Sequence, residues 1–299
     1  MPVNPADESR EAGTPGAGFA SVVIACYNDA DIVERNVAAL ARQSFRDFEA
    51  IIADDGSRED YGPMLDHWAP RFAHPIQHVR HEDIGFRKTR ILNRAIHVSG
   101  CERIIFIDMD CLPHENFVRD HLRYLTPGTA VSGRRVYVKR DAVPPAEEIW
   151  TRGLRLGALR LLGLWIRGRA QHIENGLALP FAYQAPDRGI LGCNFSAWKS
   201  DLLAINGFNA EFAGAGWEDT DLDFRLRLVN VKPKILRYVA VEYHVEHPVR
   251  VPSNDPVNEE RLNAIRIERI VRAKVGLNEI RADDFIWKRY GPLLKSESS

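Results

Sequence analysis

Residues 104 to 107, Ile-Ile-Phe-Ile, form an apolar run that stops abruptly at Asp108, Met109 and Asp110. Four consecutive apolar residues, three of them β-branched, fit a strand covered on both faces, as in a parallel sheet flanked by helices. Carboxylates at the end of such a strand are not packing residues. Asp108 and Asp110 are two apart, so both reach one ion only where the chain has already left strict alternation, which Pro113 just downstream permits. The carboxyl edge of an open α/β sheet is where ligands bind, and a metal-diphosphate site is the first functional expectation. The competing reading is a strand that ends in an acidic, solvated turn.

The same design recurs upstream. ASVVIACY, Ala20 to Tyr27, reads as a buried first strand, and NDADIVERNVAALARQ reads as a helix with apolar Ile32, Val33, Val37, Leu40 and Ala41. FEAIIADDGS, Phe48 to Ser57, is a strand ending in Asp54 and Asp55 that turns at Gly56 and Ser57. A short strand near Ile76 to Val79 and a helix over Gly85 to Val98 lead into the run at 104. This β-α-β-α order places Asn28, then Asp54 and Asp55, then Asp108 and Asp110 at three carboxyl edges. It predicts an α/β fold with a Rossmann-like, nucleotide-binding, mostly parallel central sheet flanked by helices. Independent solvated turns would not fall three times at one edge. On the helix, Arg87, Arg90 and Arg94 share a face, with Lys88 among them; either the face is solvated, or its first members contact the base or phosphates of a nucleotide.

Composition narrows the partners. The 299 residues carry 40 Lys and Arg against 41 Asp and Glu, so no global field marks a nucleic-acid binder. Cys26, Cys101, Cys111 and Cys193 show no zinc-ligand spacing and predict buried, reduced thiols in a cytoplasmic protein. Residues 1–18, rich in Pro, Gly, Ala and charge, read as a disordered arm without a signal peptide. Nowhere does an apolar run reach the ~18 residues of a membrane span.

Residues 149–169, IWTRGLRLGALRLLGLWIRGR, differ from the rest of the chain. Leu154, Leu161, Leu164 and Trp165 fall in one arc with Trp150, while Leu156, Leu159, Leu162 and Ile166 lie on the far side among five arginines, and no acidic residue interrupts them. Such a helix either docks peripherally at an anionic membrane surface or partner, or is buried as an ordinary helix.

In the second half, TAVSGRRVYV and GCNFSAW read as strands and SDLLAINGF as a short helix closed by Gly207; a Gly-rich loop, EFAGAG, precedes the helix WEDTDLDFRLRL. Glu218, Asp219 and Asp221 sit in the first turn, where the helix dipole favours anions, and capping accounts for any one of them. Four acids from Glu218 to Asp223 exceed what a cap needs. A carboxylate there can take a proton from an acceptor hydroxyl, with Trp217 offering its face to a sugar ring. The run ILRYVAVEYHVEHP ends in His244, Glu246 and His247, either satisfied polar residues or additional ligands for a hard divalent ion. Residues 258–274 predict a C-terminal amphipathic helix with Leu262, Ile265, Ile270 and Val271 inward and Glu268 four residues before Arg272.

Taken in order, SVVIACYN, IIADDGS, GFRKTRILNRAI, IIFIDMDC, the NGF-to-GWEDTDLDFRL block and YHVEHP resemble the inverting GT-A fold glycosyltransferases of family 2. The resemblance is strongest to the group with a C-terminal galactosyltransferase-type motif, similar to chondroitin polymerase and β-1,4-galactosyltransferase domains, and covers Ser21 to Pro248. It implies a DXD motif in which Asp110 ligates Mn²⁺ or Mg²⁺ and Asp108 holds the donor ribose or acts through the ion's water. It implies Asp55 or Asp54 at the nucleoside, Asn28 and Arg87 lining the donor pocket, Asp219 as catalytic base, Glu218 near the acceptor, and His244 as metal ligand with His247 as fallback. The donor so implied is a nucleotide sugar, a UDP-sugar first, and the acceptor a glycan or lipid-linked hydroxyl in bacterial surface polysaccharide synthesis. The family's more usual W-G-x-E-D is here GAGWEDTD, with Trp217 directly beside Glu218. The corresponding organisation is a GT-A domain over 19–250, with a donor half near 19–135 and an acceptor half near 136–250, and a C-terminal helical extension and tail over 251–299. Two other classes compete: a non-catalytic nucleotide-sugar-binding module, and a phosphatase of the haloacid dehalogenase type. The latter normally carries D-x-D on its first strand followed by Gly or Thr, whereas IDMDCLP lies on the fourth and lacks them.

Overall fold

Strand β1 (Ala20–Cys26) is buried along its whole length, and its side chains divide between two cores. Val22 and Ile24 face one, Val23 and Ala25 the other. Strands β2 (Phe48–Asp54) and β4 (Arg103–Asp108) divide the same way, with Ile52 and Ile107 in the first core, Ile51 and Phe106 in the second. Continuous apolar runs are therefore needed here, because both faces of the sheet are covered. Helices α1 (Ala30–Ala41) and α2 (Gly62–Trp68) cover one face, and α3 (Lys88–Val98) covers the other. The computed structural model describes residues 19–154, 156–179, 182–214, 216–247, 256–281 and 284–291. The arm expected over 1–18 and the tail beyond Gly291 lie outside them.

β1 pairs in parallel with β2 and β4, and β2 with β3 (Ile76–Arg80), giving the order β3-β2-β1-β4. The register sets Cys26 beside Asp54 and Ala25 beside Asp108, so the three carboxyl ends lie together. Around this parallel heart the nine-stranded sheet is completed by β10 (Asn194–Trp198), β6 (Thr129–Ser132), β11 (Lys232–Arg237) and β9 (Tyr183–Gln184) on one side and β13 (Ile286–Tyr290) on the other. The β10–β4, β10–β6, β11–β9 and β13–β3 pairings are antiparallel. The C-terminal part of the chain is thus more than helical, since β13 adds a strand beside β3 at that end of the sheet. All four cysteines are free and buried.

Two runs expected to be single strands are each split. After β6 the chain leaves for a second, four-stranded sheet of order β5-β12-β7-β8, made of β5 (Cys111–Pro113), β12 (Glu242–Val245), β7 (Arg135–Val138) and β8 (Ala170–Gln171). β11 likewise hands over to β12 through Tyr238 and Ala240, both with positive φ. Both crossings meet at Gly133, where an added Cβ would collide with the Ala240 carbonyl and the Asn194 amide. Asn194 joins them: Nδ2 donates to the Ala240 carbonyl at 2.9 Å, and Oδ1 accepts from Gly133 N at 3.1 Å and from His121 Nε2 at 3.1 Å. Burial pushes the His121 imidazole down to about 3, so it stays neutral and can both donate to Asn194 and accept from Ser196 Oγ at 3.0 Å. Gly133→Ala is therefore expected to lose about 1–3 kcal/mol of stability and several degrees of melting temperature in a thermal melt. An unchanged melting temperature would show that the crossing has room after all.

Residues 149–169 are not one helix. α5 (Ala146–Arg152) ends at Gly153, φ 80°, and α6 (Ala158–Ile166) begins anew. The break changes the partition of side chains: Leu156 is buried with Leu154, Leu161 and Leu164, whereas Trp165 is exposed. The C-terminal helix, α9 (Pro256–Glu268), buries Leu262 and Ile265 as the pattern predicts but ends at Glu268. Glu268 and Arg272 therefore have no helical i,i+4 relation, and Arg272 instead donates to the carbonyls of Leu203 at 3.1 Å and Ala204 at 2.8 Å.

Candidate active site

The first two carboxyl edges are sewn to each other. Asn28, in a left-handed conformation, donates its N–H to Ser57 Oγ at 2.8 Å, and its Oδ1 accepts from Arg58 N at 2.9 Å. Its carbonyl accepts from Tyr61 OH at 2.9 Å. Asp54 is fully buried and accepts from Ser57 N at 2.7 Å and His78 Nε2 at 3.1 Å. Burial opposes its ionisation, but the hydrogen bonds from His78 and Ser57 prevail and hold the carboxyl below the usual carboxylate range. Asp55 points elsewhere, to His81 Nε2 at 2.6 Å and the backbone N–H of Arg87 at 2.9 Å, and so ties β2 to the start of α3. The Arg87 guanidinium donates to the Glu82 carbonyl at 2.8 Å.

The acidic end of β4 is pinned by a residue of α1. Nδ2 of Asn36, fully buried, lies 3.2, 3.1 and 3.0 Å from the carbonyls of Asp108, Met109 and Cys111, and Met109 N donates to the Ala25 carbonyl at 2.9 Å. Alternation is broken at this turn, and the two aspartates part company. Asp108 meets Lys88 Nζ at 2.6 Å. Burial would pull the Lys88 ammonium toward neutrality, but Asp108 and Glu218 more than offset it and keep the lysine charged. Asp110 faces the end of β12, with His247 Nε2 at 2.8 Å and His244 Nε2 at 3.9 Å. Burial opposes its ionisation, and the two histidines outweigh this to keep its carboxyl below the ordinary range. Pairing between β5 and β12 sets His244 opposite Cys111, and Val245 N donates to the Asp110 carbonyl at 2.7 Å.

Helix α8 (Glu218–Leu228) brings the third group. Asp219 Oδ1 accepts from Thr220 N at 2.7 Å and its Oδ2 from Gly192 N at 3.3 Å, which fixes the carboxylate against the loop before β10. Burial raises the Glu218 carboxyl, Asp219 and Asp108 add to the effect, and Lys88 opposes it. The other two acids of the run are structural. Asp221 and Arg225 form a fully buried pair at 2.6 Å, with Arg225 also donating to the Ile205 and Gly207 carbonyls. Asp223 binds Arg227 at 2.8 Å, which also holds Asp187. Trp217, a bulky residue at φ 72°, packs half-buried against Phe212, Leu262 and Ile265. Strain of this kind clusters at functional loops.

Asp108, Lys88, Glu218 and Asp219 thus converge with Asp110, His244 and His247 in one electrostatic cluster, with Asp55, Arg87 and Asn28 along the adjoining edges and Asp54 buried beneath. Asn36 is the residue that the sequence reading does not single out, and Lys88, one of the cations offered there to a base or phosphate, is found paired with Asp108. Lys88 was one more cation on a basic helix, although its place at the helix start was a signal. Asn36 was a polar residue amid the apolar positions of α1, and that was its signal. Of the other arginines on α3, Arg90 pairs with Asp284, and both Arg90 and Arg94 lie over the Phe285 ring.

As a metal site, Asp110, Cys111 and His244 offer ligand atoms that all lie within 4.8 Å of one another, and His247 is beside them. Nδ1 of His244 is buried and has no hydrogen-bond partner among the described residues. One carboxylate with imidazole suits Mn²⁺ better than Mg²⁺, which prefers oxygen ligands throughout. A separate cavity of about 560 Å³, lined by His114, Arg119, Asp120, Leu179 and Tyr243 among others, does not include these carboxylates.

Comparison with known proteins bears on this geometry. The profile of glycosyl transferase family 2 matches residues 21–173, and one described as the N-terminal domain of galactosyltransferase matches residues 176–248. Chondroitin synthase of Escherichia coli is 25% identical over 250 residues, which is 79% of this chain and 36% of that protein. Validoxylamine A glucosyltransferase of Streptomyces hygroscopicus subsp. jinggangensis is 26% identical over 226 residues, 73% of this chain and 53% of that one. Hyaluronan synthase of Pasteurella multocida is 25% identical over 249 residues, 79% of this chain and 25% of that one. This chain therefore spans from a quarter to about half the length of these relatives. Among solved structures, TarS of S. aureus superposes with a TM-score of 0.57 at 15% identity over 87% of this chain and 41% of that one, a shared GT-A fold.

Proposed function

The chain belongs to glycosyl transferase family 2, and from that premise we propose that it moves a sugar from a nucleotide diphosphate donor to a hydroxyl of a glycan or lipid-linked acceptor, inverting the anomeric carbon. The observation that carries this is the meeting of Asp108, at the end of β4, with Glu218, at the start of α8, through the Lys88 ammonium, with Asp219 beside Glu218. The family assignment sets aside the phosphatase alternative. Asn28, Asp55 and Arg87 frame the nucleoside side, and Asp108, steadied by Lys88, faces the ribose. Lys88 brings a retained positive charge toward the diphosphate, where charge-assisted hydrogen bonds are strongest. Asp110 and His244, with His247, would hold a divalent cation, Mn²⁺ in preference to Mg²⁺. Such an ion, when bound, neutralises a departing diphosphate. Asp219 takes the proton of the acceptor hydroxyl as that oxygen attacks in line, and Glu218, whose burial favours its protonated form, donates a hydrogen bond to the acceptor. UDP-sugars are the first donors to test. The names of the E. coli and P. multocida relatives support a place in bacterial surface polysaccharide assembly.

The test is a thermal-shift screen of nucleotide sugars with and without Mn²⁺, followed by donor hydrolysis. A ligand at a hundredfold excess over its Kd adds about 2.7 kcal/mol of stability, a shift of several degrees. UDP or a UDP-sugar is expected to raise the melting temperature, and more so with Mn²⁺. If no nucleotide sugar shifts it under either condition and no donor is hydrolysed, the transferase reading fails.

A further inference from the structure

Helix α6 buries only part of its apolar surface. Leu161 and Leu164 face the core, while Leu159 is 87% exposed, Ile166 71%, Trp165 55% and Leu162 43%. At 3.6 residues per turn Leu159, Leu162 and Ile166 fall in one row, with Trp165 on its shoulder, so the exposed residues form a continuous apolar stripe beside the buried one. Arg160 and Arg167, seven apart and both exposed, border the stripe on its other side. No acidic residue occurs between Ile149 and Ile173. Arg152 pairs with Glu148 and Arg169 with Asp141, so among the described residues the charge that accompanies the stripe rests on Arg167 and on Arg160, which also donates to the Ala142 carbonyl at 3.4 Å. No helix among the described residues is long and apolar enough to cross a membrane.

We propose that this face of α6 docks on an anionic phospholipid surface, with Leu159, Leu162, Trp165 and Ile166 entering the headgroup boundary and Arg160 and Arg167 meeting lipid phosphates. An apolar row with an indole at its edge and guanidinium groups along its flank is the chemistry of an interfacial helix. A second copy of the chain fits less well, because a two-fold contact would bring the arginines of both copies together. α6 packs on β8, which pairs with β7, which pairs with β12, so the docking face belongs to the layer that presents His244. Docking of this kind rests on α6 and does not depend on the chemistry of the carboxylate cluster.

Vesicle flotation of the full chain tests it, with phosphatidylcholine vesicles against the same vesicles carrying phosphatidylglycerol. The wild-type chain is expected to float with the anionic vesicles on the order of tenfold more strongly than with neutral ones. The double variant Leu159→Asp and Ile166→Asp is expected to stay at the bottom of both gradients, and Arg160→Glu with Arg167→Glu to lose the preference for anionic lipid. Each variant changes exposed residues outside the carboxylate cluster, so its melting temperature and its donor hydrolysis without vesicles are expected to match wild type. Wild-type binding that ignores anionic lipid, or that survives Leu159→Asp with Ile166→Asp, overturns the proposal. So does a wild-type chain that binds no vesicle but dimerises through this face, as judged by size exclusion of the same variant. Absence of donor hydrolysis in a vesicle-binding wild type would instead count against the transferase reading alone.

Discussion

Asp219→Asn is expected to lower kcat for sugar transfer by about 10²–10⁴-fold, the usual contribution of a positioned general base. The carboxylate is held from two sides, by Thr220 N on Oδ1 and Gly192 N on Oδ2, and neither contact needs its negative charge. An asparagine can accept at least one of these bonds, so the start of α8 and the neighbouring Glu218 should keep their places. Donor affinity is then expected to stay near wild type, because the proposed donor residues Asn28, Asp55, Arg87 and Asp108 lie at the ends of β1, β2 and β4 and at the start of α3 rather than on α8. The informative pair of measurements is kcat for transfer beside the donor-induced thermal shift. Turnover lost together with the shift would mean a damaged fold, whereas turnover near wild type would move the base elsewhere, to Glu218 first. Glu218→Gln and Glu218→Ala separate those roles further: the carboxyl is already biased toward protonation, so the amide keeps the donor and should change acceptor KM little, whereas alanine removes it and should raise KM more than it lowers kcat.

The parallel heart of this fold was legible because its strands are buried on both faces, and that demand writes itself as continuous apolar runs with alternate residues in different cores. The sheet exchange was not legible. Apolar character continues through both crossings, 129–138 and 232–245, and what forces the switch is the contact of Gly133, Ala240 and Asn194 across long stretches of sequence. The same locality governs the site. Adjacent acids such as Asp54 and Asp55 leave opposite faces of a strand, and only the arrival of His78 and His81 on and after β3 shows that one is a fully buried support and the other a link to α3. Of the four acids in α8, helix spacing alone offers Arg225 and Arg227 to Asp221 and Asp223, which leaves Glu218 and Asp219 as the two without an arginine one turn on. Lys88 could not be paired with Asp108 from sequence, since a helix wheel ranks cations by face and not by what the sheet edge brings opposite them.

Asp110→Asn is expected to reduce Mn²⁺-stimulated turnover by on the order of 100-fold or more, since even a supporting residue of a metal site typically costs 10–100-fold when altered. The wild-type carboxylate is kept ionised by His247 at 2.8 Å and by His244, so near neutral pH it is already in the form a cation requires. An amide removes the negative charge and leaves one neutral oxygen, a far weaker ligand for a hard divalent ion. The thermal shift should divide accordingly. Stabilisation by UDP alone is expected to persist, because Asn28, Asp55, Arg87 and Asp108 are untouched, while the additional shift on adding Mn²⁺ should vanish. Wild type treated with EDTA should then behave like the variant, and EDTA should change the variant little. His244→Ala and His247→Ala decide which imidazole matters: burial pulls His244 toward the neutral form that binds metal, and among the described residues its Nδ1 has no hydrogen-bond partner, so it is expected to cost more of the Mn²⁺ shift than His247. An Asp110→Asn variant that retained the full Mn²⁺ shift would place the ion elsewhere, and Asp108, freed from Lys88, would be the carboxylate to examine next.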